Sequence, residues 1–163
     1  MSTKNIIIGI AGLVLIFVGA TYLSKRLSPD YKNVQRWNAA GAECLSNGHS
    51  NLSQHIHQKL VITVDGVVEN LPANIGVAKN CLAEMHTHDQ SGDLNVIHME
   101  SSSADKTFTL GQFFAVWGKP IERTGYAYEF KLNGTTTVEN PKDLVLKDGQ
   151  QIELSYTKIT NGS

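Results

Sequence analysis

Three short segments hold five of the six histidines in this chain: His55-Ile56-His57, His86-Thr87-His88 and His98-Met99-Glu100. In an extended strand successive side chains alternate between faces, so each pair separated by one residue lies on a single face. Their Cα atoms are then about 6.5–7 Å apart. Two imidazoles at that spacing can converge on one ion at metal–nitrogen distances of about 2 Å. His55, His57, His86 and His88 are therefore the expected metal ligands, with His98 next. Asp89 and Glu100 are expected either to orient imidazole N–H groups or to ligate in their turn. Imidazole-rich sites suit zinc and copper alike, and the Irving–Williams order favours copper(II) where it is available. Met85, Met99 and Cys81 adjoin the cluster, but the methionines should point away if the flanking histidines point in. His49, alone in a Gly/Ser-rich loop, is expected to face solvent. The competing reading is a polar hydrogen-bonded network on strand surfaces, holding no metal.

The elements that would position these residues follow from pattern. "KLVITV" (Lys59 to Val64) reads as a strand, Asp65-Gly66 as a hairpin turn and "VVENL" as the return strand, ended by Pro72. "IGVAKNCLAEM" is expected to be extended towards Met85. A turn at Ser91-Gly92-Asp93 leads into the alternating strand "LNVIHME". "TLGQFFAVWG" is the clearest helix: Thr109 caps it, Gln112 completes a capping box, and Gly118 with Pro120 stops it. Leu110, Phe113, Phe114 and Trp117 form one apolar face at helical spacing, which is core rather than a ligand stripe. "YAYEFKL", "TTTVE" after Asn133-Gly134, and "QQIELSY" after Asp148-Gly149 complete the strands. These elements describe a small α+β domain with a mixed sheet and one main helix, in an order that resembles a β-grasp arrangement.

Upstream, Ser28-Pro29-Asp30 offers a helix start for residues 31–42, and the chain divides into an amino-terminal segment (1–27), a linker or stalk (28–54) and the His-rich domain (55–163). The first segment contains "IIIGIAGLVLIFVGATYL" (Ile6 to Leu23), eighteen residues without a charge. As a helix it would span about 27 Å, close to the thickness of a bilayer core. It is expected to enter membrane, as an uncleaved anchor or as a secretion signal cut near Val18-Gly19-Ala20. Lys25, Arg26, Lys32 and Arg36 follow the segment, and by the positive-inside rule they would place the domain in the cytoplasm. An apolar segment at the amino terminus argues instead for export.

With 14 basic and 15 acidic residues the net charge is −1. No basic run or arginine stripe points to nucleic acid. The two cysteines, Cys44 and Cys81, form no Cys-x-x-Cys motif, which excludes a thioredoxin-like pair or a cysteine-rich zinc knuckle. A Cys44–Cys81 disulfide would close a loop containing His55 and His57. The alternatives are two buried thiols or a soft metal ligand. No phosphate loop, dinucleotide fingerprint or serine nucleophile motif is present.

Taken together, "HIH" at His55, "VDGVVENLPANIGV", Cys81, "HTHD", "IHME" and "FTLGQFFAVWG" resemble an uncharacterised family of small, membrane-anchored, extracytoplasmic His-rich proteins of bacteria and archaea. The similarity runs from His55 to about Gly118, with "LKDGQQIELSY" as weaker support. In the family pattern the turn after His-Thr-His-Asp passes directly into Ile-Ile-His, whereas Asp93 and Asn95 make this turn more polar. The resemblance brings no activity with it. It implies an exported location and a shared role for His55, His57, His86, His88, Asp89, His98 and Glu100. The expected function is a membrane-tethered domain holding copper or zinc outside the cytoplasmic membrane, for delivery, buffering or assembly of a larger membrane complex. The alternatives are a small metal-dependent hydrolase, with Asp89 or Glu100 as base, and an accessory subunit whose metal site is structural.

Overall fold

A computed structural model describes residues 3–88, 92 and 94–160, with side chains described from residue 13 onward. It begins with helix α1 (Thr3–Leu27), followed by α2 (Pro29–Ala39). The side chain of Ser28 caps α2 by accepting from the Tyr31 amide at 3.2 Å, and Pro29 occupies the first turn, where no N–H is required. Strand β1 (Gln54–Val64) turns at Asp65-Gly66 into β2 (Val67–Glu69). Both turn residues have positive φ, as a two-residue hairpin requires. Three two-residue strands follow, β3 (Val77–Ala78), β4 (Cys81–Leu82) and β5 (Met85–His86), and then β6 (Val96–Ser101). Helix α3 (Leu110–Trp117) carries the expected capping box between Thr109 and Gln112 and ends on Gly118 in the left-handed region. β7 (Tyr126–Leu132), β8 (Thr135–Thr136) and β9 (Gln151–Lys158) finish the chain.

The main sheet runs β5-β6-β1-β9-β7-β8, and β2 also pairs with β1. β1 and β9 lie parallel at its centre, while the other pairings are antiparallel. The α+β class with a mixed sheet is thus what the chain forms. β1 starts earlier than its apolar core suggests, because its first six residues, Gln54 to Lys59, pair with β6.

The apolar face of this sheet packs against α3. Leu60, Ile62, Ile97, Met85, Met99, Ile152 and Leu154 are fully buried in one cluster with Phe113, Phe114 and Leu110. Each such side chain stabilises the fold by about 1.5–3 kcal/mol. α2 joins the same core through Trp37, whose indole N–H donates to the Val116 carbonyl at 2.9 Å, while Arg36 donates to the Ala115 and Val116 carbonyls. The carbonyls at the end of α3 are thereby satisfied by side chains of α2.

The membrane anchor expected over Ile6–Leu23 is corrected by the structure: among the described residues no helix is long and apolar enough to cross a membrane. Lys25 and Arg26 lie in the last turn of α1, close behind the apolar stretch. The earlier part of the run, residues 6–12, lies outside the residues whose side chains are described. No membrane tether is therefore supported, and with it go the membrane as partner and the larger membrane complex; the placement outside the cytoplasmic membrane, drawn also from likeness to an export signal and from the family resemblance, loses the anchor as its support.

Candidate metal centre

The site is built on the β5-β6-β1 end of the sheet. Register sets His55 opposite Glu100, His57 opposite His98, and His86 opposite His98. Residues directly opposite in antiparallel strands share a face, so His55, His57, His86, His98 and Glu100 form one polar layer. Met85 and Met99, paired with each other on the alternate positions, point into the apolar core. One alternation along three strands therefore separates ligand-type side chains from core.

Two further histidines complete the layer. His88 follows β5, and its ring centroid lies 4.3 Å from that of His98 and 4.8 Å from that of His86. His49 arrives from the loop after α2, with its ring 5.5 Å from His86 and 5.4 Å from His88. It does not simply face solvent: its Nδ1 lies 2.8 Å from a Glu100 carboxylate oxygen. That loop is held in place by the Cys44–Cys81 disulfide, by the bridge between Cys44 and Ala83, and by two amides, Leu45 N–H to Leu82 O at 2.8 Å and Glu84 N–H to Glu43 O at 2.9 Å. Sequence reasoning missed His49 because it belongs to no spaced pair. A signal was present, since His49 lies five residues after Cys44 and His86 five residues after Cys81, so a disulfide between the two brings both histidines to one place.

β5 is only two residues long and is braced from the side. Ile75 N–H donates to Thr87 Oγ1 at 3.0 Å, Thr87 Oγ1–H donates to the Pro72 carbonyl at 2.8 Å, and Thr87 N–H donates to the Ile75 carbonyl at 3.0 Å. Gly76 adds to this clamp, because a Cβ there would sit 2.2 Å from the Met85 carbonyl.

At the base of the layer His86 and Glu100 are fully buried and His98 nearly so, while His49, His55 and His57 are exposed at its rim. His86 Nδ1 is 2.9 Å from the Ala83 carbonyl. A carbonyl only accepts, so Nδ1 carries the proton and Nε2 presents a lone pair. That Nε2 is buried with no hydrogen-bond partner among the described residues. Burial pushes the His86 imidazole down to about 3, against the Ala83 hydrogen bond and with added repulsion from His88, His98 and His49. The ring is therefore neutral across ordinary pH. Glu100 receives His49 on one side and His55 Nε2 at 3.1 Å on the other.

Groups of histidine and glutamate here can hold a metal ion. Three sets have ligand atoms within 4.8 Å of one another: His49, His86 and His88; His55, His57 and His98; and His86, His98 and Glu100. The structure thus gathers His55, His57, His86, His88, His98 and Glu100 and adds His49. Asp89 lies outside the described residues, and Cys44 and Cys81 are bonded to each other rather than offered to a metal.

No family model matches the chain, and neither does any curated protein or solved structure. The resemblance to an extracytoplasmic His-rich family is accordingly not supported, and the site stands on its own geometry.

Proposed function

We propose that this protein binds transition metal, copper or zinc, through ligands drawn from the imidazoles of His49, His55, His57, His86, His88 and His98 and the carboxylate of Glu100, and that it holds the metal exchangeably. The observation that carries this reading is His86. A buried acceptor left unsatisfied costs about 1–3 kcal/mol, yet Nε2 has no hydrogen-bond partner among the described residues while Nδ1–H is fixed on a backbone carbonyl. Metal-ligating histidines have this arrangement, with one nitrogen oriented by a carbonyl and the other offering its lone pair. Burial that keeps the ring neutral also keeps protons from competing for that lone pair.

The gradient of exposure favours exchange. His86 and Glu100 form a buried floor, and the exposed His49, His55 and His57 form a rim through which an ion can enter and leave. The donor set is nitrogen-rich with one carboxylate, which suits copper(II) and zinc rather than magnesium or calcium. Elemental analysis of the purified full chain, beside a variant with His86→Ala and His88→Ala, tests the reading. The wild type should retain copper or zinc through gel filtration and the variant should not; equal content in both would remove the proposed ligands. A competing chelator should then withdraw the ion without unfolding the protein.

A further inference from the structure

The donors are too many for one ion. Zinc takes four ligands in most protein sites, and here six imidazoles and a carboxylate face one another. They fall into two triads that share no residue. In the first, the rings of His49, His86 and His88 are 4.8–5.5 Å apart. In the second, those of His55, His57 and His98 are 4.6–6.0 Å apart. Each triad offers one ligand atom per residue, all within 4.8 Å of one another. The triads abut through His88 and His98 at 4.3 Å and through the stacked rings of His86 and His98 at 5.6 Å.

Glu100 lies on the seam between them. His49 Nδ1 of the first triad lies 2.8 Å from its Oε2 and 3.0 Å from its Oε1, and His55 Nε2 of the second lies 3.1 Å from that same Oε1. A carboxylate oxygen also groups with His86 from the first triad and His98 from the second. The side chain is about 1% exposed. Among the described residues no lysine or arginine pairs with it. A buried carboxylate requires compensating positive charge, and cations on both sides would supply it.

We propose that the site is dinuclear: one ion held by His49, His86 and His88, a second by His55, His57 and His98, with the Glu100 carboxylate bridging the two. Each ion then has three nitrogens and one oxygen, the four-fold set that zinc and copper(II) take. Carboxylate-linked pairs of this kind lie about 3.5–4 Å apart, close enough for two copper(II) spins to couple. This inference rests on the metal-binding reading and adds stoichiometry and a bridge to it.

The test is a metal titration of the full chain. Zinc is added to saturation, weakly held metal is removed with glycine on gel filtration, and the zinc retained per chain is measured. A parallel sample loaded with copper(II) is examined by electron paramagnetic resonance. Two ions per chain are expected, with an integrated copper signal well below two spins and a half-field line from the coupled pair. His57→Ala, which changes an exposed rim residue, should lower the zinc retained from two to one. Glu100→Gln should abolish the half-field line. Saturation at one ion per chain would overturn the dinuclear site while leaving the metal-binding reading intact. Two ions with full, uncoupled copper spin would overturn the Glu100 bridge, as would persistence of the half-field line in Glu100→Gln. Failure to retain any metal would overturn both readings. Unchanged stoichiometry in His57→Ala, or loss of both ions, would contradict the division into triads.

Discussion

His86 shows what a single side chain contributes here and what it costs. In the unfolded chain its imidazole titrates near 6.5, whereas in the fold burial holds it down to about 3. Between those values the unfolded chain binds a proton that the folded chain does not. Stability of the metal-free protein therefore falls as the pH drops through 6.5 towards 3, by at most about 1.4 kcal/mol per pH unit for one proton. Urea unfolding of the metal-free chain at pH 7 and pH 5.5 should show this loss, and His86→Leu should flatten the dependence. An equally steep loss in the variant would mean that another group carries the effect. The identity of this residue was legible in sequence from the spacing of His86 and His88. Its tautomer and its unsatisfied Nε2 were not, because both depend on where the Ala83 carbonyl falls.

At the scale of elements, the hairpins and α3 were readable because local chemistry determines them: Asp65-Gly66 and Asn133-Gly134 have the positive φ that their turns demand, and Thr109 with Gln112 forms the capping box. The register that sets His57 opposite His98 and His86 opposite His98 was not readable. It follows from long-range pairing that no short window of sequence encodes. Nor did the pattern reveal that β5, two residues long, is held mainly by its neighbours. Gly76 is the most demanding of these supports, with φ +75 and the Met85 carbonyl where a Cβ would be. Gly76→Ala should destabilise the fold by more than about 1 kcal/mol and also weaken metal binding, since the displaced backbone carries His86. Gly66→Ala has a similar φ of +81 with nothing within 4 Å, so it should affect stability without changing metal affinity. Calorimetric titration of both variants separates the two effects. The disulfide acts on the other support, the His49 loop. Replacing Cys44 and Cys81 with serine reopens a separation of 37 residues and should lower stability by about 2–4 kcal/mol. It should also release His49, so that metal affinity measured under refolded conditions falls while His86 and His98 remain in register.

Across the whole molecule, the sheet separates two kinds of stabilisation. One face is apolar and packs under α3 and Trp37, with Met85 and Met99 among its buried members; the other carries the histidines. Core packing does not depend on the metal, so the domain should be folded without it, unlike a zinc finger, which is unfolded in its metal-free form. Metal that binds only the folded chain still adds to stability, by about 2.7 kcal/mol at a free concentration one hundred times Kd. For a chain of this length that corresponds to a rise in Tm on the order of 5–10 °C. The rise should scale with the logarithm of free metal and reverse on chelation, leaving the near-ultraviolet circular dichroism of Trp37 and Trp117 unchanged. The pairing of β1, β6 and β5 bears most of the effect because these strands carry the ligands. Amide exchange should accordingly slow at Ile56, Met99 and His86 on metal addition, with little change at Phe130 in β7, which β9 separates from β1. Uniform protection across the sheet would indicate a metal that stabilises the core itself, and loss of the near-ultraviolet signal on chelation would show that the two faces are not energetically separate.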